Sequence, residues 1–132
     1  MIVVLLGPPG AGKGTQGERI ADRLGIPKIA TGDVLRTAVR EGTEQGRAAK
    51  AYMDRGDLVP DSVILGILRD AIASPESARG AILDGAVRTV PQAEGIADAL
   101  ASIGGKVEAV LLFEANHAEL IRRRSSRTTC DV

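Results

Sequence analysis

Aromatic side chains are almost absent from this sequence of 132 residues, which has one Tyr, one Phe and no Trp. Its core must therefore be built from Leu, Ile, Val and Ala, and these are plentiful, since apolar residues make up 44% of the chain. That fraction also excludes a disordered chain, which lacks the apolar groups needed to offset ordering entropy. There is a single cysteine, so no internal disulfide can form, and a reducing, cytoplasmic setting is expected. Neither sign of charge is in surplus: 17 basic side chains face 17 acidic ones. The basic excess of a broad nucleic-acid or anionic-membrane binder is thus missing, although a local basic site stays open. No stretch reaches the roughly 20 apolar residues needed to span a bilayer. The apolar start, Met1 to Leu6, has no basic region before it and no small-residue cleavage site after it, so no signal peptide is expected. Length allows one domain, which buries roughly two thirds of the surface its unfolded form exposes.

Ile2 to Leu6 is a short, continuous, partly β-branched run that stops at a glycine, as a strand buried on both faces would. Lys13 to Leu24 reads as a helix closed by Gly25, and Lys28-Ile29-Ala30 as a brief strand. Helices follow over 32–40, over 43–55 with Thr43 as cap, and from Pro60-Asp61 to Ser74. Ala81-Ile82-Leu83 is a second buried strand and Val107 to Phe113 a further strong one, separated by a helix from Thr89 or Val90 to Ile103. Asn116, with Glu119 three residues on, suggests a capping box for a last helix. Alternation of strands and helices predicts a parallel sheet covered on both faces. In such sheets ligands bind beyond the carboxyl ends of the strands, so the residues after each strand carry the functional information.

After the first strand comes Gly7-Pro8-Pro9-Gly10-Ala11-Gly12-Lys13-Gly14-Thr15, which holds a glycine, four residues, then Gly12-Lys13. This is phosphate-loop spacing, with Gly14 where Ser or Thr usually follows the lysine. Glycines let successive backbone N–H groups converge on one anion, the following helix adds its positive end, and Lys13 supplies a point charge. The competing reading is a ligand-free glycine turn. Thr15 is either a contact to phosphate or Mg²⁺ or simply a first-turn helix residue.

With Gln16 included, residues 7–16 resemble the loop of the adenylate kinase family. The resemblance implies an α/β fold of the P-loop NTPase type, a parallel sheet of four strands in the order 2-3-1-4 with helices on both faces. It implies ATP bound by Gly10, Ala11, Gly12, Lys13, Gly14 and Thr15, with Mg²⁺ accompanying the ATP. Thr31-Gly32-Asp33 with Arg36 is similar to the family element that contacts the phosphate of AMP; a helix start with a surface arginine is the alternative. Asp57, Leu58 and Val59 resemble the stretch lining the adenine pocket, or else form an ordinary interhelical turn. The implied organisation is a core of residues 1–29 and 60–125, an AMP-binding helical subdomain over 30–59, and the start of a truncated lid at 126–132.

Asp84-Gly85-Ala86-Val87-Arg88, with Gln92, is similar to the family's Asp-Gly-Phe-Pro-Arg element. By that resemblance Asp84 holds Mg²⁺ through water, while Gly85, Ala86, Val87, Arg88 and Gln92 serve AMP. Phe and Pro of the family are replaced here by Ala86 and Val87. The family's bond before that proline is usually cis; before valine a cis bond costs about 3 kcal/mol, so it should be trans here. Displacement of Gly85 and Arg88, loss of an aromatic ring and weakened AMP binding are the expected consequences.

Near the end, Arg123 and Arg127 align with two arginines of the family, the first on the ATP adenine side and the second at the transferring phosphates. Arg122 and Arg124 read as a solvated basic helix end. Cys130 stands where zinc-bearing relatives begin a Cys-x-x-Cys knuckle, but one thiolate cannot make a structural zinc site, so no zinc is expected. The resemblance covers about 60% of the family's length, with a fifth strand and the lid missing. The implied activity is ATP + AMP ⇌ 2 ADP, impaired by truncation and by Ala86-Val87, with Lys13, Arg88, Arg123 and Arg127 as catalytic residues. The implied partners are ATP, AMP and ADP, with neither nucleic acid nor membrane. Two other readings remain: a silent ATP- or phosphate-binding core that self-associates through an exposed sheet edge, and another small-molecule kinase of the same fold.

Overall fold

The computed structural model describes residues 1–126. The elements follow the sequence periodicity closely. They are β1 (Ile2–Leu6), α1 (Lys13–Leu24), β2 (Lys28–Ala30), α2 (Thr31–Glu41), α3 (Glu44–Asp54), α4 (Asp61–Ala73), β3 (Ala81–Asp84), α5 (Val90–Ser102), β4 (Val107–Leu112) and α6 (His117–Ser125). A 3₁₀ turn at Pro75–Ser77, not evident from the sequence, links α4 to β3. Ser77 is buried there and donates its hydroxyl proton to the Ala71 carbonyl at 2.9 Å, which satisfies the end of α4.

The sheet has the expected order β2-β3-β1-β4, and all its pairings are parallel. Alternation along the strands sorts the core into two layers. Ile2 and Val4 of β1, with Ile29, Ala81 and Leu83, point to one face and pack against Leu68 and Ile72 of α4 and Ile96 and Leu100 of α5. Val3, Leu5 and Ile82 point to the other face, against Ala21 of α1 and Ile26. A third, smaller cluster of Ala38, Ala49 and Ile67 joins α2 and α3 to α4. Each of these helices is too short to be stable alone in water, so burial of these stripes holds them in place.

Capping matches the sequence in part. Thr43 accepts from the Gly46 N–H at 3.0 Å and opens α3; Asn116 accepts from the Glu119 N–H at 2.7 Å and opens α6. The reciprocal half of a capping box is not made at α6, because two arginines draw the Glu119 carboxylate away. No peptide bond in the described residues is cis, so the Ala86–Val87 bond is trans as expected. No helix among the described residues is long and apolar enough to cross a membrane.

Candidate functional site

Parallel pairing aligns the carboxyl ends of three strands. Leu5 of β1 lies beside Asp84 of β3, and Asp84 lies beside Ala30 of β2. Each strand then gives way to a loop or helix start on the same side of the sheet, and these enclose a cleft of about 1000 Å³. That is the upper end of the range for small-molecule sites.

The floor of the cleft is the loop from Gly7 to Gly12. Gly10 and Gly12 have φ of 88° and 100°, a region that L side chains avoid, so glycine is required for the loop to close. Gly12 caps α1, and no side chain reaches back to the first turn, which also holds no acidic residue. The N–H groups of Lys13, Gly14 and Thr15 therefore lack intrahelical partners and form a positive end at the cleft. The Lys13 ammonium folds over the loop and donates to the Pro8 carbonyl at 3.2 Å. Gly10, Ala11, Gly12, Lys13, Gly14 and Thr15 all line the cleft.

The opposite wall comes from β2 and β3. Ala30 caps α2, so Thr31 is already helical, and a second helix amino terminus faces the space. The Thr31 hydroxyl oxygen is buried, the residue lines the cleft, and the hydroxyl has no hydrogen-bond partner among the described residues. A buried hydroxyl without a partner costs about 1–3 kcal/mol, and a bound polar ligand removes that cost. Asp84, Gly85, Val87 and Arg88 complete this side. Asp84 is the acidic side chain of the lining. One carboxylate suits a cation such as Mg²⁺, which keeps several waters and takes the rest of its oxygens from phosphate.

Arg123 reaches the cleft from α6. It donates to the Gly10 carbonyl at 3.2 Å, and its Nε–H lies 2.7 Å from Glu119 Oε1. Glu119 also accepts a two-pronged contact from Arg122 at 2.7–3.0 Å. Hydrogen bonds from Arg122 first, then from Arg123, hold its carboxyl far below the ordinary range, at about 2. Arg122 itself faces solvent, as its sequence position suggested.

Other residues singled out from the sequence stand outside the cleft lining. Arg36 pairs with Asp33 on the exposed face of α2. Asp57 pairs with Arg55 at 3.0 Å, and Leu58 is 93% exposed, while Val59 packs against the cluster of Ala38, Ala49 and Ile67. Ala86 is turned into the main core beneath the sheet, where it cannot shape the cleft directly. Gln92 is buried, and both ends of its amide are used: Oε1 accepts the Arg88 N–H and Nε2 donates to Asp61, each at 2.8 Å. It thus braces the turn that carries Arg88. The proximity of Gln92 to Asp61, 31 residues earlier, could not be read from local pattern. Arg127 and Cys130 lie outside the described residues.

Comparison with known proteins gives this geometry a family. The family model described as Adenylate kinase matches residues 5–131. The adenylate kinase of Gemmatimonas aurantiaca is 67% identical over 132 residues, covering all of this chain and 62% of its own length. That of Methanosarcina barkeri is 50% identical over 131 residues, covering 99% of this chain and 61% of its own. That of Nitrosococcus oceani is 47% identical over 132 residues, covering all of this chain and 61% of its own. The chain spans about 60% of the length of the curated relatives it matches. With a glycine loop of Gly-x4-Gly-Lys spacing after β1, an Asp-Gly-x-x-Arg turn after β3 and a match across nearly its whole length, the chain belongs to the adenylate kinase family.

Proposed function

We propose that these residues bind MgATP and AMP and support transfer of the terminal phosphoryl group, giving two ADP. One observation carries this: the glycine loop with Lys13, the partnerless Thr31 hydroxyl and Arg88 open on a single cleft. In this reading the amides of 12–15 and Lys13 hold the donor phosphates. Thr31, the amino end of α2 and Arg88 receive the acceptor phosphate, and Arg36 joins them on leaving Asp33. An oxygen of the AMP phosphate attacks the γ-phosphorus, the bond to the β,γ-bridging oxygen breaks, and its electrons stay on departing ADP. Such a reaction needs alignment and positive charge more than a proton-transfer group. Mg²⁺, when bound, neutralises charge on the phosphates; Asp84 would hold it through water. Arg123 sits at the donor side with its guanidinium plane held by Gly10 and Glu119, a surface on which the adenine can stack; Arg127, outside the described residues, is assigned to the transferring phosphates by the family resemblance alone.

Residues 30–59 act as the AMP-side subdomain and 1–29 with 60–125 as the core; the assignment of 126–132 to the start of a lid falls, apart from Ser126, outside the described residues. Within that subdomain Asp57, Leu58 and Val59 approach the adenine on closure. Gly85 and Val87 shape the AMP side, whereas Ala86 and Gln92 support it from behind. The exchange of an aromatic-proline pair for Ala86-Val87 weakens AMP. A cytoplasmic location goes with this reading.

A second reading is favoured by β4, where Val110 and Leu112 are 54% and 64% exposed on a strand that, among the described residues, pairs on one side only, with β1. Open apolar edges invite pairing, so self-association of a silent nucleotide-binding core is the alternative outcome. Separate calorimetric titrations with MgATP and AMP, a coupled assay for ADP and sedimentation of the same sample decide between them. ATP and AMP heats with ADP formation support phosphoryl transfer; ATP binding by a dimer that forms no ADP supports the second reading.

A further inference from the structure

Lys28 is the most enclosed ammonium group outside the cleft lining, with only 17% of its side chain exposed. It opens β2, next to Ile82 of β3, and its stem crosses over α1 at Gly17. A Cβ at Gly17 would meet Leu5 Cδ1 at 2.8 Å and Lys28 Cδ at 3.2 Å, so glycine leaves the channel in which the lysine lies. At its end Nζ is 3.1 Å from Glu18 Oε1 and donates to the Gly14 carbonyl at 3.4 Å.

That carbonyl is half of the peptide unit that also carries the Thr15 N–H. In a trans peptide the two groups point in opposite directions. Along α1 the carbonyl faces the helix body and the N–H faces the cleft, where it is one of the free donors of the first turn. A cation on the carbonyl oxygen therefore fixes the tilt of this peptide and polarises its N–H, and hydrogen bonds in series strengthen one another. Asp84 lies on the same flank: a Cβ at Gly14 would be 3.8 Å from Asp84 Oδ2 and 3.8 Å from Lys28 Nζ.

We propose that Lys28 is a positioning residue for the phosphate site, its ammonium on the Gly14 carbonyl aiming the 14–15 peptide so that the Thr15 N–H faces the donor phosphates. This rests on the reading of the cleft as a nucleotide site, and it assigns the anion grip two lysines: Lys13 from above the loop and Lys28 from behind the helix.

The test uses the 132-residue chain and its Lys28→Met, Lys28→Arg and Lys13→Met variants, titrated with MgATP and, separately, with AMP. Methionine keeps most of the stem that packs over Gly17 and removes the charge. Lys28→Met is expected to weaken ATP about five- to tenfold while leaving AMP within about twofold, the effect of removing one charge-assisted hydrogen bond at the donor end of the site. Lys28→Arg should restore ATP affinity to within about twofold of wild type, since it keeps the charge and the donors. The Thr15 amide signal in a ¹H–¹⁵N spectrum should shift in Lys28→Met without ligand and move less when ATP is added. Unchanged ATP affinity in a folded Lys28→Met, or equal weakening of ATP and AMP, overturns the proposal and leaves Lys28 as packing. Should Lys28→Met fail to fold, Lys28→Arg decides: a Thr15 signal and ATP affinity close to wild type support the proposal, and loss of both contradicts it. If Lys13→Met binds ATP as well as the wild type, the nucleotide reading itself fails, whatever Lys28 does.

Discussion

Substitution of Gly46 by alanine probes how closely the AMP-side helices approach. Gly46 is in the first turn of α3, buried against the end of α2. A Cβ added there would overlap the carbonyl carbon and oxygen of Ala38 and lie 2.8 Å from the Val39 nitrogen. Real Cβ contacts essentially never fall under 3.0 Å, so the helices must part by about 1 Å. The obstacle is main chain, which cannot rotate away as a side-chain tip can. Overpacking of this kind costs about 3 kcal/mol at the upper end of its usual range. Alanine recovers about 1 kcal/mol from its better helix propensity, leaving a net loss of about 2 kcal/mol. For a chain of this length that lowers Tm by roughly 6–10 °C. The separation opens the α2–α3 corner and strains the Thr43 cap, so AMP affinity should fall several-fold while ATP affinity holds. Calorimetric melting and paired titrations measure both. A Tm equal to or above wild type would refute the claim that α2 and α3 meet backbone to backbone.

Removal of the Arg88 guanidinium by Arg88→Ala should weaken AMP at least about tenfold and ATP less than about threefold, measured by the same titrations, since Arg88 lines the cleft from the turn after β3 and not from the loop after β1. Equal losses for both nucleotides would count against its placement on the acceptor side. The Glu119 carboxyl, held at about 2 by Arg122 and Arg123, should show that value in an NMR titration of its side chain. Its folded-state pKa is depressed, so its contribution to α6 is present above the ordinary carboxylate value of 4.5 and disappears as pH falls through about 2. A midpoint near 4.5 would show that the arginine contacts do not persist in solution.

Much of this architecture was legible in the sequence because the fold places strong local signals in series. Ile2–Leu6 and residues 81–83 are apolar without alternation, which only strands covered on both faces tolerate, and each run ends where a loop lining the cleft begins. The glycine loop is equally plain, since its φ values of 88° and 100° at Gly10 and Gly12 demand the residue type that the motif displays. Other features depend on partners far apart in the chain. Gln92 has the spacing of a ligand-facing side chain but is held between Asp61 and the Arg88 N–H. Ala86 occupies a position expected in the pocket and is instead small enough to turn into the core. The Glu119 carboxylate had the spacing of a capping box, yet two guanidinium groups outcompete a single backbone N–H for it. Lys28 carried no local signal at all; its meaning lies in the Gly14 carbonyl, 14 residues earlier.

The central claim is that the loop from Gly7 to Gly12, with Lys13, holds an oligophosphate. Calorimetric titration of MgATP into the wild-type chain and into Lys13→Met tests it most directly. The account predicts saturable binding to the wild type and at least about a tenfold weaker affinity in the variant, as expected when the ammonium facing the phosphates is removed. No heat of binding to the wild type at millimolar ATP, or identical isotherms for the two proteins, would contradict it.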